Sequence, residues 1–374
     1  MKILHLIYTR AISGAEKYLL DLLPGLKQQG IECEFMCVGP KKNEQLLNNY
    51  CDQMLALGIK STLILKANNF QYFSIAKTIN HYVVKNNIQI IHSHLIIGDM
   101  LAAIIKTFYN NSIRLFSTKH GYQEKYLINY GKGKKKIPYG VYYFFSKLII
   151  NKIDENITIS KAIADMFCTL QLGKKKMKFL HHGVNVKETG EQKGITDPFQ
   201  KLIVVGRLAE MKGHKYLISA LPLILKRFPR LTLLILGEGK LKNELFNQAG
   251  NLGIAEHVEF TGFQKPENYT AQCQLMIVPS IFEPFGLVFI EAFALKIPVV
   301  AFNVGAGNEI IDNNETGILI PPFNIEALAE KIIYLLENPQ ERKRIAENAY
   351  HKYLNSFTTE KMVTETASWY RSVI

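Results

Sequence analysis

Short apolar runs recur along the chain, each four to eight residues long and each followed by a segment whose apolar positions repeat every three or four residues. The runs at Ile3–Tyr8, Glu32–Val38, Ser61–Leu65, Ile88–His92, Leu115–Thr118 and Asn156–Ser160 are spaced by helical patterns, the first of them continuing to Leu26. A second series begins at Leu202–Leu208 and continues through Leu231–Leu236, Val258–Gly262 and the run ending at Ile277-Val278, with helices from Ile325 onward. Buried strands alternating with helices predict parallel sheets covered by helices on both faces, an α/β architecture. Sites on such sheets lie beyond the carboxyl ends of the strands. The residues just after each run are therefore the candidates for chemistry.

The most informative of these is the stretch from Ile277 to Glu309. An apolar run breaks at Pro279-Ser280, a loop follows, and Leu287, Val288, Ile290, Ala292 and Phe293 give the apolar side of a helix opening near Gly286. Glu283 falls in the loop and Glu291 inside the helix. A helix N-terminus entered through a glycine offers free N–H groups to an anion. The two carboxylates cannot be phosphate ligands, but they suit hydroxyl-rich groups attached to a phosphate. Diphosphate plus sugar hydroxyls describes a nucleotide sugar.

The segment Ser280-x-x-Glu283-Pro284-Phe285-Gly286-Leu287-x-x-x-Glu291-Ala292 resembles the Glu-x7-Glu signature of retaining GT-B glycosyltransferases, in particular glycosyltransferase family 4. Further segments carry the same resemblance. Thr9–Glu16 is similar to the family's Gly-Gly-Ala-Glu turn, with Ser13 in place of the first glycine and Gly14 retained. Gly206-Arg207-Leu208 with Lys212-Gly213 resembles the segment that supplies diphosphate cations. Thr118-Lys119-His120 resembles Thr-x-His, His181–Asn185 the interdomain Asn-Gly-Val-Asp segment, and Gly305–Glu309 the Gly-Gly-x-x-Glu loop facing the donor.

The resemblance implies two Rossmann-like domains with parallel sheets facing across a cleft. One is expected over residues 1–186 with the C-terminal helix 359–374 returning to it, and the other over 187–358, after a polar linker at Lys187–Gln200. The implied function is retaining, metal-independent hexosyl transfer from a UDP- or GDP-sugar to a glycan or lipid-linked acceptor, in cell-surface polysaccharide, lipopolysaccharide or glycoconjugate synthesis. By residue, the resemblance implies catalytic roles for His120 and Glu283. It implies donor binding by Gly14, Arg207, Lys212, Phe285, Gly286, Leu287 and Glu291. No Asp-x-Asp occurs, so no metal or other cofactor is expected, and fixed cations would neutralise the leaving diphosphate. Gly237-Glu238-Gly239 has Lys242 where a dinucleotide fingerprint needs glycine, which disfavours nicotinamide.

Composition adds compartment and partner. The 374 residues exceed what one core usually holds. No apolar run approaches the ~20 residues of a membrane span, and the N-terminal run is too short for a signal peptide. The cysteines form no Cys-x-x-Cys pair, and Cys33 and Cys37 share one strand face, as core residues do. A cytoplasmic protein is expected. Residues 1–190 hold 26 Lys+Arg against 12 Asp+Glu, and the remainder 19 against 20, so the positive field lies in the first half. Within it, Lys132, Lys134, Lys135 and Lys136 precede Tyr139, Tyr142, Tyr143, Phe144, Phe145, Leu148 and Ile149. Region 122–150 reads as contact with an inner-leaflet membrane surface or as a basic loop before a core helix; nucleic acid is not an expected partner. His92 and His94 suggest a metal pair, yet no third ligand is evident and loop packing is the expectation. A GT-B epimerase, or a scaffold with a degenerate site, are the competing classes.

Overall fold

Residue alternation in the first strand sets the layout of the N-terminal half. Ile3 and Ile7 point to one core cluster and Leu4, Leu6 and Tyr8 to another, so this strand is buried on both faces. The computed structural model describes residues 2–68, 71–134, 140–173, 177–186, 200–270 and 272–373. The expected linker 187–199, Lys135, Lys136, Tyr139 and the basic positions Lys174–Lys176 lie outside the described residues.

The chain divides into two units, one formed by Met1–Tyr122, Lys136–Gly183 and Thr359–Ile374 and the other by Gln123–Lys135 and Val184–Thr358. Among the described residues the first unit holds seven strands: β1 (Lys2–Tyr8), β2 (Glu32–Pro40), β3 (Lys60–Lys66), β4 (Ile90–His94), β5 (Arg114–Lys119), β6 (Glu155–Thr158) and β7 (Lys178–Phe179). Their order is β3-β2-β1-β4-β5-β6-β7, and every pairing is parallel. The second unit holds β8 (Lys201–Val205), β9 (Thr232–Leu236), β10 (Val258–Gly262), β11 (Leu275–Val278), β12 (Val299–Phe302) and β13 (Ile318–Ile320). Their order is β10-β9-β8-β11-β12-β13, again parallel throughout. In each sheet the order reverses at the first strand, between β1 and β4 and between β8 and β11. Such switch points are where open parallel sheets take ligands.

Three expectations are corrected. Asn156–Ser160 is not the last strand of the first sheet, because β7 adds beyond it, with Leu180 donating its N–H to Thr158 O at 2.9 Å. His92 and His94 are not loop residues: they are the third and fifth residues of β4, wholly buried. Gln123–Lys135 groups with the second unit and not with the first, because its helix Glu124–Gly131 packs Tyr130 on Phe282 and pairs Lys132 with Glu210 at 2.8 Å.

Ser160 caps the helix Lys161–Thr169, accepting from Ile163 N–H at 3.1 Å. The helix Thr359–Val373 lies in the first unit and buries Trp369 and Tyr370 in the core that holds Ile3 and Ile7. Among the described residues, no helix is long and apolar enough to cross a membrane.

Candidate functional site

In the second unit the loops after β8, β9, β11 and β12 are stitched to one another at the switch point. Leu208 N–H donates to Glu238 O at 3.0 Å, and Leu241 N–H to Leu208 O at 3.1 Å. Ile281 N–H donates to Met211 O, and Ala306 N–H to Glu283 O at 2.9 Å. Gly305 is required here. Its φ is +56°, and a Cβ would stand 2.1 Å from Glu283 O. Gly286 is the second such position, with φ +91° and a hypothetical Cβ 2.3 Å from the buried Phe289 ring. It is the N-cap of the helix Leu287–Ala294. In the first turn, the N–H groups of Leu287 and Val288 have no partner within the helix.

Glu283 sits in this stitched loop, only 5% exposed. Its Oε2 accepts from Lys212 Nζ at 2.8 Å and from Ser280 Oγ at 3.1 Å. Lys212 and Glu283, 71 positions apart in sequence, thus form a largely buried ion pair. Arg207 follows β8 on the same edge, with its side chain 61% exposed and 3.5 Å from Glu124 of the helix Glu124–Gly131. Phe285 is buried with its ring against Phe357, so what it can offer a ligand is main chain. Leu287 is half-buried at the helix start, and Glu291 lies one turn further in, on the helix body. This edge therefore presents two cations, a buried carboxylate and a helix N-terminus, a set suited to a diphosphate and the hydroxyls attached to it.

The first unit builds its own polar edge. Ser13 precedes the helix Gly14–Gln28, and the Glu16 carboxylate accepts from Ser13 N–H at 2.9 Å and Ser13 Oγ at 2.8 Å. The serine that stands where a glycine was expected is thereby used as a cap. His120 follows β5, and Tyr18 packs edge-on against it at 5.1 Å. Burial and the neighbouring His182 and Lys119 hold His120 down at about 3, so it is neutral.

Behind His120, period-2 alternation lines up a layer of imidazoles on the sheet face that carries Tyr370. The β1–β4 register sets His5 opposite His92 and Ile7 opposite His94. His94 Nδ1 is 3.1 Å from His120 Nε2, and His94 Nε2 is 3.1 Å from His5 Nδ1. Burial pushes His5 down to about 3 and lowers His92 and His94 well below the usual imidazole range. The opposite face carries a second buried polar layer. There Asp99 accepts from Lys119 Nζ, Ser93 Oγ and Ser117 Oγ at 2.6 Å each. The third histidine beside His92 and His94, not evident from motif spacing, is His5. Its signal was the run Ile3-His5-Ile7, which puts it on a buried strand face.

The helix Val141–Ile150 leaves Val141, Phe144, Phe145 and Leu148 between 48% and 74% exposed. Their spacing of three and four places them on one helix face. Lys132 and Lys134 are exposed residues of the second unit.

The sequence matches two family models, Glycosyltransferase Family 4 over residues 12–188 and Glycosyl transferases group 1 over residues 185–352. An uncharacterised glycosyltransferase of Methanocaldococcus jannaschii is 30% identical over 302 residues, covering 78% of this chain and 80% of that protein. The N-acetylgalactosamine-N,N'-diacetylbacillosaminyl-diphospho-undecaprenol 4-alpha-N-acetylgalactosaminyltransferase of Campylobacter jejuni is 31% identical over 206 residues, 54% of this chain and 55% of that one. For several other curated relatives the chain spans only 45% to 59% of their length. Anabaena HepE, solved in complex with UDP, superposes with a TM-score of 0.81 over all of both chains at 20% identity, a likeness of fold.

Proposed function

Since the chain belongs to the family 4, group 1 glycosyltransferases of GT-B fold, we propose that it transfers a hexosyl group from a nucleotide sugar to a glycan or lipid-linked acceptor, with retention and without a metal. The observation that carries this reading is the set Lys212, Glu283 and Gly286 at the switch point of the second sheet. Arg207 and Lys212 take the diphosphate, together with the first turn of the helix that Gly286 opens, and Glu291 takes the ribose. A diphosphate arriving at Lys212 competes with Glu283 for the ammonium group and turns that carboxylate toward the sugar hydroxyls. Cations fixed at the leaving diphosphate stabilise charge that develops as the glycosidic bond breaks. Gly14 gives the backbone close approach at the turn after β1, and the neutral His120 hydrogen-bonds a hydroxyl near the anomeric carbon.

The reaction is front-side attack by the acceptor hydroxyl: its oxygen bonds the anomeric carbon as the bond to the diphosphate breaks on the same face, and its proton passes to the departing diphosphate oxygen. UDP is the first donor nucleotide to try, since Anabaena HepE was solved with it; GDP is the second. A lipid-linked acceptor is supported by the undecaprenol-linked substrate in the name of the Campylobacter jejuni relative. The exposed face of Val141–Ile150 fits the same reading, as an apolar stripe that would enter the headgroup region of an anionic inner leaflet. Such a protein would work at the cytoplasmic surface in polysaccharide, lipopolysaccharide or glycoconjugate synthesis.

Thermal unfolding with UDP, GDP and their sugar conjugates tests the donor site. A ligand at 100 times its Kd adds ~2.7 kcal/mol to the folded state, and Arg207→Ala should abolish the shift. The anomeric configuration of product by proton NMR, with and without EDTA, tests retention and metal independence. An inverted product, or activity lost to EDTA, would refute those parts.

A further inference from the structure

Five buried or half-buried contacts in the first unit join end to end. His120 Nε2 lies 3.1 Å from His94 Nδ1, and His94 Nε2 lies 3.1 Å from His5 Nδ1. His5 Nε2 is 3.4 Å from Tyr370 Oη, Tyr370 Oη is 2.5 Å from His92 Nδ1, and His92 Nε2 is 2.8 Å from Thr118 Oγ1. Each imidazole uses both of its nitrogens except His120, whose Nδ1 is left at the end of the line. We infer that His94, His5, Tyr370 and His92 are positioning residues that fix the tautomer of His120 through this relay. The inference rests on the proposal that His120 meets substrate.

A neutral imidazole has one N–H and one lone pair, and every link needs one donor and one acceptor. With Tyr370 contributing its single proton to the line, two arrangements satisfy all five links. In the first, His120 donates from Nε2 to His94, each group donates to the next, and Thr118 accepts; Nδ1 of His120 is then a bare lone pair. In the second, every proton is shifted, Thr118 donates to His92, and Nδ1 of His120 carries the hydrogen. No group can change alone without breaking a buried hydrogen bond, at a cost of about 1–3 kcal/mol. His120 therefore offers substrate an acceptor or a donor according to a hydroxyl at the far end of the chain. Tyr370, brought in by the helix Thr359–Val373, is the joint between the two halves.

A metal ion is the rival occupant. His5, His92 and His94 each place a ligand atom within 4.8 Å of the others. Their six ring nitrogens, however, are already paired: those of His5 with His94 and Tyr370, those of His94 with His5 and His120, and those of His92 with Tyr370 and Thr118.

The test is nitrogen-15 NMR of the histidine rings in the full chain, on wild type and on Tyr370→Phe, which removes one hydroxyl and keeps the ring. In wild type the His120, His94, His5 and His92 rings should show one shared pattern, all four protonated on Nε2 or all four on Nδ1. In Tyr370→Phe the His120 nitrogens should shift toward a mixture, although Tyr370 does not touch His120, and kcat should fall about tenfold with the donor KM unchanged. Thr118→Val, at the far end, should move the His120 resonances in the same way. Unchanged His120 resonances in both variants would overturn the relay. So would stoichiometric zinc retained by wild type and lost in His5→Gln. If His120→Ala transfers sugar at the wild-type rate, the catalytic reading of His120 fails, while the NMR still judges the relay by itself.

Discussion

Acidification should unfold the first unit before it disturbs the second. His5, His92 and His94 are fully buried and are kept neutral by that burial. An unfolded histidine titrates near 6.5, so below that pH the unfolded chain binds protons that the folded chain refuses. Stability is then lost as pH falls, from about 6.5 downward, and for His5 the loss continues to about 3. One unit below the unfolded pKa each such group costs about 1.4 kcal/mol. With His120, which burial also holds down at about 3, four such groups cost about 5–6 kcal/mol at pH 5.5, a large share of a typical domain's 5–15 kcal/mol. The chain's single tryptophan, Trp369, packs against His92 and Tyr370, so its fluorescence reports on this unit alone. Urea titrations followed at Trp369 should show unfolding coupled to uptake of about two protons at pH 6.5, rising to about four at pH 5 from His5, His92, His94 and His120, with a further contribution from His182, which burial also lowers. An uptake below about one proton would refute the reasoning, because it would mean that the layer accepts charge without opening.

Three other outcomes follow from particular contacts. Gly305→Ala should destabilise the second unit by more than about 2 kcal/mol, because the new methyl meets Glu283 O at a positive φ; an unchanged Tm would show that the loop relaxes freely. Lys212→Met should cost roughly 1–3 kcal/mol by leaving the Glu283 carboxylate buried without its cation. Adding Glu283→Gln should recover part of that stability but none of the nucleotide-induced shift, as thermal unfolding with UDP would register. Replacing Phe144 and Phe145 together with serine should reduce sedimentation with anionic vesicles by at least tenfold, since each buried phenylalanine contributes ~1.5–3 kcal/mol; equal sedimentation would dismiss the membrane reading of this helix.

The α/β class and the motif-bearing turns were legible because their signals are local. An apolar run, a breaking Pro279-Ser280 and a glycine opening a helix lie within a dozen residues of one another. What escaped was non-local. Lys212 and Glu283 read separately as a phosphate cation and a sugar ligand, and their pairing depends on how two loops meet. Alternation assigns His5 a face of its strand but not the register that sets it opposite His92. The two-residue β7 has no periodicity at all, and both of its residues are exposed. The membership of Gln123–Lys135 turned on Tyr130 and Lys132 finding Phe282 and Glu210, partners more than seventy positions away.

The helix Thr359–Val373 also sets an order of assembly on the ribosome. Residues up to Gly183 can form every strand of the first sheet, yet its core lacks Trp369 and Tyr370 until some 186 residues later. At translation rates of 5–20 residues per second, the imidazole face stays uncovered for about 10–35 s. During that interval the nascent first domain exposes apolar surface while the second domain emerges and can close around its own sheet. The N-terminal half is synthesised first but finished last, so it is the half that would need a chaperone to shield it.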